Sequence, residues 1–69
     1  MTHSVRDRRS RFNGVPVRLL EVQDWPGVNR ESPRVKRNPQ ARAVNGRVYV
    51  QNANGSGSIV SVHCVRRLP

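Results

Sequence analysis

Asn45-Gly46 separates ARAV from RVYVQ, two short runs in which valines alternate with polar residues. Asn-Gly is a preferred pair for the two positive φ angles of a type I′ turn, so this dipeptide predicts a tight hairpin joining strands over 41–44 and 47–51. The next stretch, NANGSG at 52–57, is rich in residues that accept left-handed geometry. It leads into SIVSVHCVRR, a third β-branched run, and the sum is a three-stranded antiparallel meander over 41–66. Strand alternation puts Val48 and Val50 on one face, with Arg47, Tyr49 and Gln51 opposite. In the last run it puts Val60, Val62 and Cys64 on one face and Ile59, Ser61, His63 and Val65 on the other. If the valine faces coincide, the face bearing Tyr49 is the one left open.

Upstream, VPVRLLEV at 15–22 has the Val-Leu content and early proline of an edge strand. Val15, Leu19 and Val22 also fall on one helical face, so a two-turn helix beginning at Pro16 competes with it. Residues 23–40 contain Pro26, Pro33 and Pro39, each of which holds its predecessor in extended geometry, and an irregular connector is expected. Within it, Trp25-Pro26-Gly27 suits a turn whose indole caps the core. Residues 1–14 carry Arg6, Arg8, Arg9 and Arg11 with little apolar content and end at Asn13-Gly14, which predicts a flexible basic arm outside a single small β domain at 15–69. The fold class is mostly β: a small antiparallel sheet that, with 15–22 as a fourth strand, could curl into a half-open barrel of the SH3-like or OB-like kind.

The core of such a domain is thin. In 69 residues, 35% are hydrophobic, and Phe12, Trp25 and Tyr49 are the only aromatics. Cys64 is the only cysteine, so no disulfide within the chain can staple it, and a reducing, intracellular setting is expected. No apolar run approaches the roughly 18 residues that span a bilayer, and no membrane partner is expected. The N-terminus lacks the apolar segment of a secretory signal; its Arg and Ser content leaves organellar targeting as the alternative to the cytoplasm.

Charge is what this sequence has in excess: 13 basic residues face four acidic ones, for a formal net charge of +9. Twelve of the 13 are arginine, whose planar fork binds phosphate bidentately and stacks on bases. A GC-rich coding composition also favours arginine, so the bias has force only together with the net charge. Self-repulsion of this size disfavours a compact free state and raises the local concentration of anionic partners. The basic residues fall into four groups: Arg6, Arg8, Arg9 and Arg11; Arg34, Lys36 and Arg37; Arg42 and Arg47; Arg66 and Arg67. Short basic segments separated by Pro and Gly suit an irregular phosphate backbone, which points to nucleic acid, RNA in preference to DNA. Tyr49, between Arg47 and Gln51, is the one strand aromatic placed to stack on a base, although a half-buried structural role competes for it.

Chemistry other than binding finds little support. Asp7, Glu21, Asp24 and Glu31 are scattered with no paired spacing for acid–base work. His63 and Cys64, neighbours on a strand, face opposite ways, and His3 lies remote in sequence. Nothing has the spacing of a zinc site, and Asn54-Gly55-Ser56-Gly57 lacks the Lys-Ser/Thr ending of a phosphate loop. No catalytic residue, metal, cofactor or small-molecule substrate is expected. A small RNA-cleaving protein built on His63 is the nearest enzymatic alternative. The expectation is a small RNA-contacting structural component of a ribonucleoprotein such as a ribosome, acting by phosphate neutralisation and scaffolding, with other proteins of the assembly as further partners. An assembly module using an open β edge, of the virion or mobile-element accessory type, and a β-type DNA-binding regulator are the alternatives.

Overall fold

A computed structural model describes residues 1–69. Both turn residues adopt the expected left-handed geometry, Asn45 at φ 51° and Gly46 at φ 74°. They join β3 (Ala43–Val44) to β4 (Arg47–Gln51). β4 then pairs antiparallel along its whole length with β5 (Gly57–Ser61), with Tyr49 opposite Ile59 and Gln51 opposite Gly57. In the intervening loop the Asn52 side chain accepts hydrogen bonds from the Asn54 and Ser56 amides.

The third run does not continue as one strand. Ser61 caps a single 3-10 turn, Val62–Cys64, by accepting a hydrogen bond from the His63 amide, and the chain then re-enters the sheet as β6 (Val65–Arg67). The turn breaks the alternation expected for 58–67. Val60 is buried as expected, but Val62 is 40% exposed, while Cys64 and Val65 pack against the core. A run of β-branched residues carries no mark of this break except the serine that caps it.

Two further differences concern the N-terminal half. Residues 1–14, expected as an arm outside the domain, supply β1 (His3–Val5) and two core side chains, Val5 and Phe12. The segment after β1 is folded back by a series of short-range bonds. The amides of Ser10, Asn13 and Gly14 donate to the carbonyls of Asp7, Ser10 and Val5, and the Asp7 amide donates to the Asn13 side chain. These bonds drop Phe12 into the barrel while leaving Arg6, Arg8, Arg9 and Arg11 exposed. The strand expected over 15–22 is the shorter β2 (Pro16–Leu19), and it is interior to the sheet. Pro16 and Val17 pair with β1, whereas Arg18 and Leu19 pair with β4. Pro16 is accommodated as the first residue of its strand.

β1 also pairs with β6, so the strand order is β6, β1, β2, β4, β5, with β3 beside β4 on the same side as β2. The result is a curled half-barrel around Val5, Phe12, Val17, Val48, Val50 and Val60, with the Val48/Val50 face inward as read from the sequence. The connector 23–40 is largely irregular, as expected, but holds one short helix, α1 (Pro33–Arg37), with Ser32 as its N-cap and Pro33 in its first turn. It lies after a 3-10 turn, Val22–Asp24. Trp25 donates its indole N–H to the Leu20 carbonyl at 3.0 Å. No helix is long and apolar enough to cross a membrane.

The placement of Phe12 is directly testable. Phe12→Ala is expected to lower unfolding free energy by about 3–5 kcal/mol in urea denaturation, while Arg8→Ala, four residues away on the same segment, should stay within about 0.5 kcal/mol of the parent. Equal, negligible effects would mean that this segment lies outside the domain.

Candidate functional site

All the basic side chains singled out above are exposed. Two of the 13 in the chain are ion-paired, Arg30 with Asp24 and Lys36 with Glu31, both in the connector. The remaining eleven have no carboxylate within bridging distance. The Lys36–Glu31 pair is itself exposed and of little net strength, so it withdraws that lysine from solvent anions only weakly.

The fold gathers these charges differently from their order in sequence. Arg9 and Arg11 lie beside β5, lining a shallow depression with Asp7, Ser58 and Ser61. Arg11 is anchored there: its guanidinium donates to the Gly57 carbonyl at 3.1 Å and stacks over the Phe12 ring at 5.0 Å. Arg66 donates to the carbonyls of His63 and Val65. Arg47 projects from β4 on the same face as Tyr49 and Gln51. Arg18, not singled out by the sequence, joins that face, since it stands opposite Gln51 and donates to its side-chain oxygen through both Nε and Nη2. Arg34 stands at an apolar groove formed by Val22, Trp25, Val28, Val35 and Val44. Apart from Arg34 this groove is lined by no titratable side chain. Arg6, Arg8 and Arg37 make no side-chain hydrogen bond within the protein.

Tyr49 is held rather than free. Its ring covers Gly57 diagonally across the β4–β5 ladder, where any Cβ would overlap it, and packs tilted at 38° on Trp25 with centroids 6.5 Å apart. Gly57 is needed for this close approach. The indole thus braces Tyr49 on the outer face of the sheet and, contrary to expectation, is not among the side chains packed against the valine core.

A third gathering was not legible in the sequence. His3, Arg42 and Arg67 line one hollow of about 380 Å³, with Met1, Thr2 and Pro69 at its margin. His3 and Arg67 are direct partners in the β1–β6 ladder. The bonds from Leu68 N–H to Thr2 C=O and from Arg6 N–H to Cys64 C=O make His3–Arg67 one of the ladder's non-hydrogen-bonded pairs, where side chains stand closest. Arg42 arrives from the residue before β3. Burial lowers the pKa of His3 below its ordinary 6.5, and the Arg67 and Arg42 charges lower it further. By contrast, His63 is exposed and Cys64 half-buried against the core. No three side chains among His, Cys, Asp and Glu converge as a metal site would require.

No protein-family model, curated protein or solved structure matches the chain.

Because folding lowers the pKa of His3, the unfolded chain takes up its proton at higher pH than the folded one. Folded-state stability therefore rises with pH between the folded value and about 6.5, and is lost on acidification through that window. Urea midpoints are expected to be lower at about pH 5 than at about pH 7.5, with the gap narrowed in His3→Gln. NMR titration should show the His3 midpoint moving up in Arg67→Gln. An unchanged midpoint would mean that Arg67 does not act on the imidazole.

Proposed function

We propose that this protein binds nucleic acid, RNA in preference to DNA, as a small structural component of a ribonucleoprotein assembly. The observation that carries this reading is the set of eleven exposed cationic side chains without carboxylate partners, spread over loops, strand ends and the outer sheet face of one small half-barrel. Cations left unpaired on a surface gain most from an external polyanion, because phosphate contact releases condensed counterions and leaves no internal ion pair to break. Their scatter favours contact with several phosphates along an irregular backbone over the reading of one short base sequence. Arg11 and Arg66, whose guanidiniums are held by backbone carbonyls, would act as pre-oriented contacts; Arg6, Arg8 and Arg37 would adapt to the partner. Tyr49, braced by Trp25, enters this reading as a wall of the sheet face more than as a stacking platform. No step of this mechanism calls for a catalyst or cofactor.

A second reading, attachment to another protein of an assembly by strand addition, is favoured by the free edge of β5 and the exposure of Ile59 and Val62 beside it, 43% and 40%. Arg11 covers one carbonyl of that strand, at Gly57.

Filter binding to a structured RNA and to duplex DNA across a salt series separates these possibilities. If about six cations meet phosphates, log affinity falls against log salt with a slope of roughly −4 to −5. Replacing Arg6, Arg8, Arg9 and Arg11 together by glutamine should make that slope shallower by roughly 3 if all four make contact. Salt-insensitive or absent retention of either nucleic acid would sink the proposal. Tighter retention of DNA than RNA at equal salt would move it to the DNA-binding alternative.

A further inference from the structure

We propose that the open hollow lined by β1, β6 and the approach to β3 is a seat for a single phosphate group, with Arg42 and Arg67 supplying the charge and His3 a ring N–H. The identification of that group as part of a nucleic-acid backbone rests on the function proposed above; the seat itself does not.

Four observations converge on it. The two guanidiniums come from segments far apart in sequence, the approach to β3 and β6, yet line the same hollow, and none of the four side-chain carboxylates lines it with them. Two like charges that the fold brings together, with no carboxylate within bridging distance of either, are mutually unfavourable in the free protein, and a bound phosphate would relieve this. Each backbone attachment is firm. Arg67 is in the β6 ladder, while Arg42 is flanked by the Ala41 carbonyl, which accepts from Val22 N–H at 2.7 Å, and by Ala43 in the β3–β4 ladder. Finally, the Thr2 hydroxyl lies 2.7 Å from His3 Nδ1. When it donates to that nitrogen in the neutral ring Nε2 carries the ring proton, and in the imidazolium, where it accepts from Nδ1, Nε2 is protonated as well; each of these arrangements offers an Nε2 proton to an anion. His3 Nε2 makes no hydrogen bond within the protein.

The groups around His3 fix the sign of the proton linkage. Its ladder partner on β2 is Val17, fully buried and apolar; β6 contributes Arg67, and the approach to β3 contributes Arg42. Met1 and Pro69 line the same hollow; burial and the Arg67 and Arg42 charges disfavour the imidazolium, and an oxyanion held between the guanidiniums reverses the balance. Binding is then accompanied by proton uptake at His3 and strengthens as pH falls.

The test is an NMR titration of both histidine rings with inorganic phosphate, run against sodium chloride at matched ionic strength. The seat predicts a saturable shift of the His3 ring and a rise in its titration midpoint, with the His63 ring unmoved and chloride without effect. Arg42→Gln and Arg67→Gln, both at exposed positions outside the core, should each weaken the response about tenfold or more. A linear response, equal movement of both rings, the same effect with chloride, or persistence in the double variant would each overturn the proposal. A short oligoribonucleotide without terminal phosphates tests the source of the ligand: the same His3 shift supports a backbone phosphate, and a shift with free phosphate alone supports a phosphomonoester. Filter retention of RNA with an unresponsive His3 would overturn the seat and leave the proposed function standing. A saturable His3 response without RNA retention would do the reverse.

Discussion

Everything in this fold depends on the four residues of β2. Its first half is bonded to β1 and its second half to β4, so the strand passes the sheet from one ladder to the other between Val17 and Arg18. Val17 is completely buried at that step, and the curl it imposes faces Val5 and Phe12 toward Val48, Val50 and Val60. Four strand residues that serve two partners make a barrel wall out of very little chain. With only six residues in the central cluster, no position in it has a neighbour able to take over its role.

The arginines are arranged so that this small core tolerates them. None lies inside; they stand at loops, strand ends and the outer face, and several are satisfied by carbonyl oxygens or by Gln51. Hydrogen bonding of this kind orients a guanidinium without cancelling its charge. The protein therefore keeps its full electrostatic reach while fixing part of its geometry, the combination a polyanion-binding surface needs. His3, whose ionisation the fold shifts, is beside two such charges.

How much of this was legible in the sequence differs by segment. Asn45-Gly46 and the alternation around Val48 and Val50 specify the hairpin and its inward face, because local turn geometry and strand period point the same way. A half-open barrel was expected from four strands; it forms from six, because the N-terminal segment supplies β1 and the third run divides into β5 and β6. The N-terminal segment was read as an arm because four arginines mask one phenylalanine; what places Phe12 inside is a chain of loop hydrogen bonds that composition does not encode. The break at Ser61 was hidden because Val62 and Val65 favour strands equally well, and only the tertiary need to cross from β5 to β6 decides between them. The exposure of the basic residues was legible from their chemistry. Their grouping was not, since His3, Arg42 and Arg67 meet only through the pairing of the first strand with the last.

That pairing bears on how the molecule assembles in time. The β3–β4–β5 meander can form from neighbouring residues, whereas the β1–β6 ladder must join segments at opposite ends of the chain and waits on the larger loss of loop entropy. On loop entropy alone, the ladder that brings Arg67 against His3 is the costliest of the sheet to close. An anion held across that seam would act as a latch on the native state, adding the free energy of its binding to that of closing the ladder.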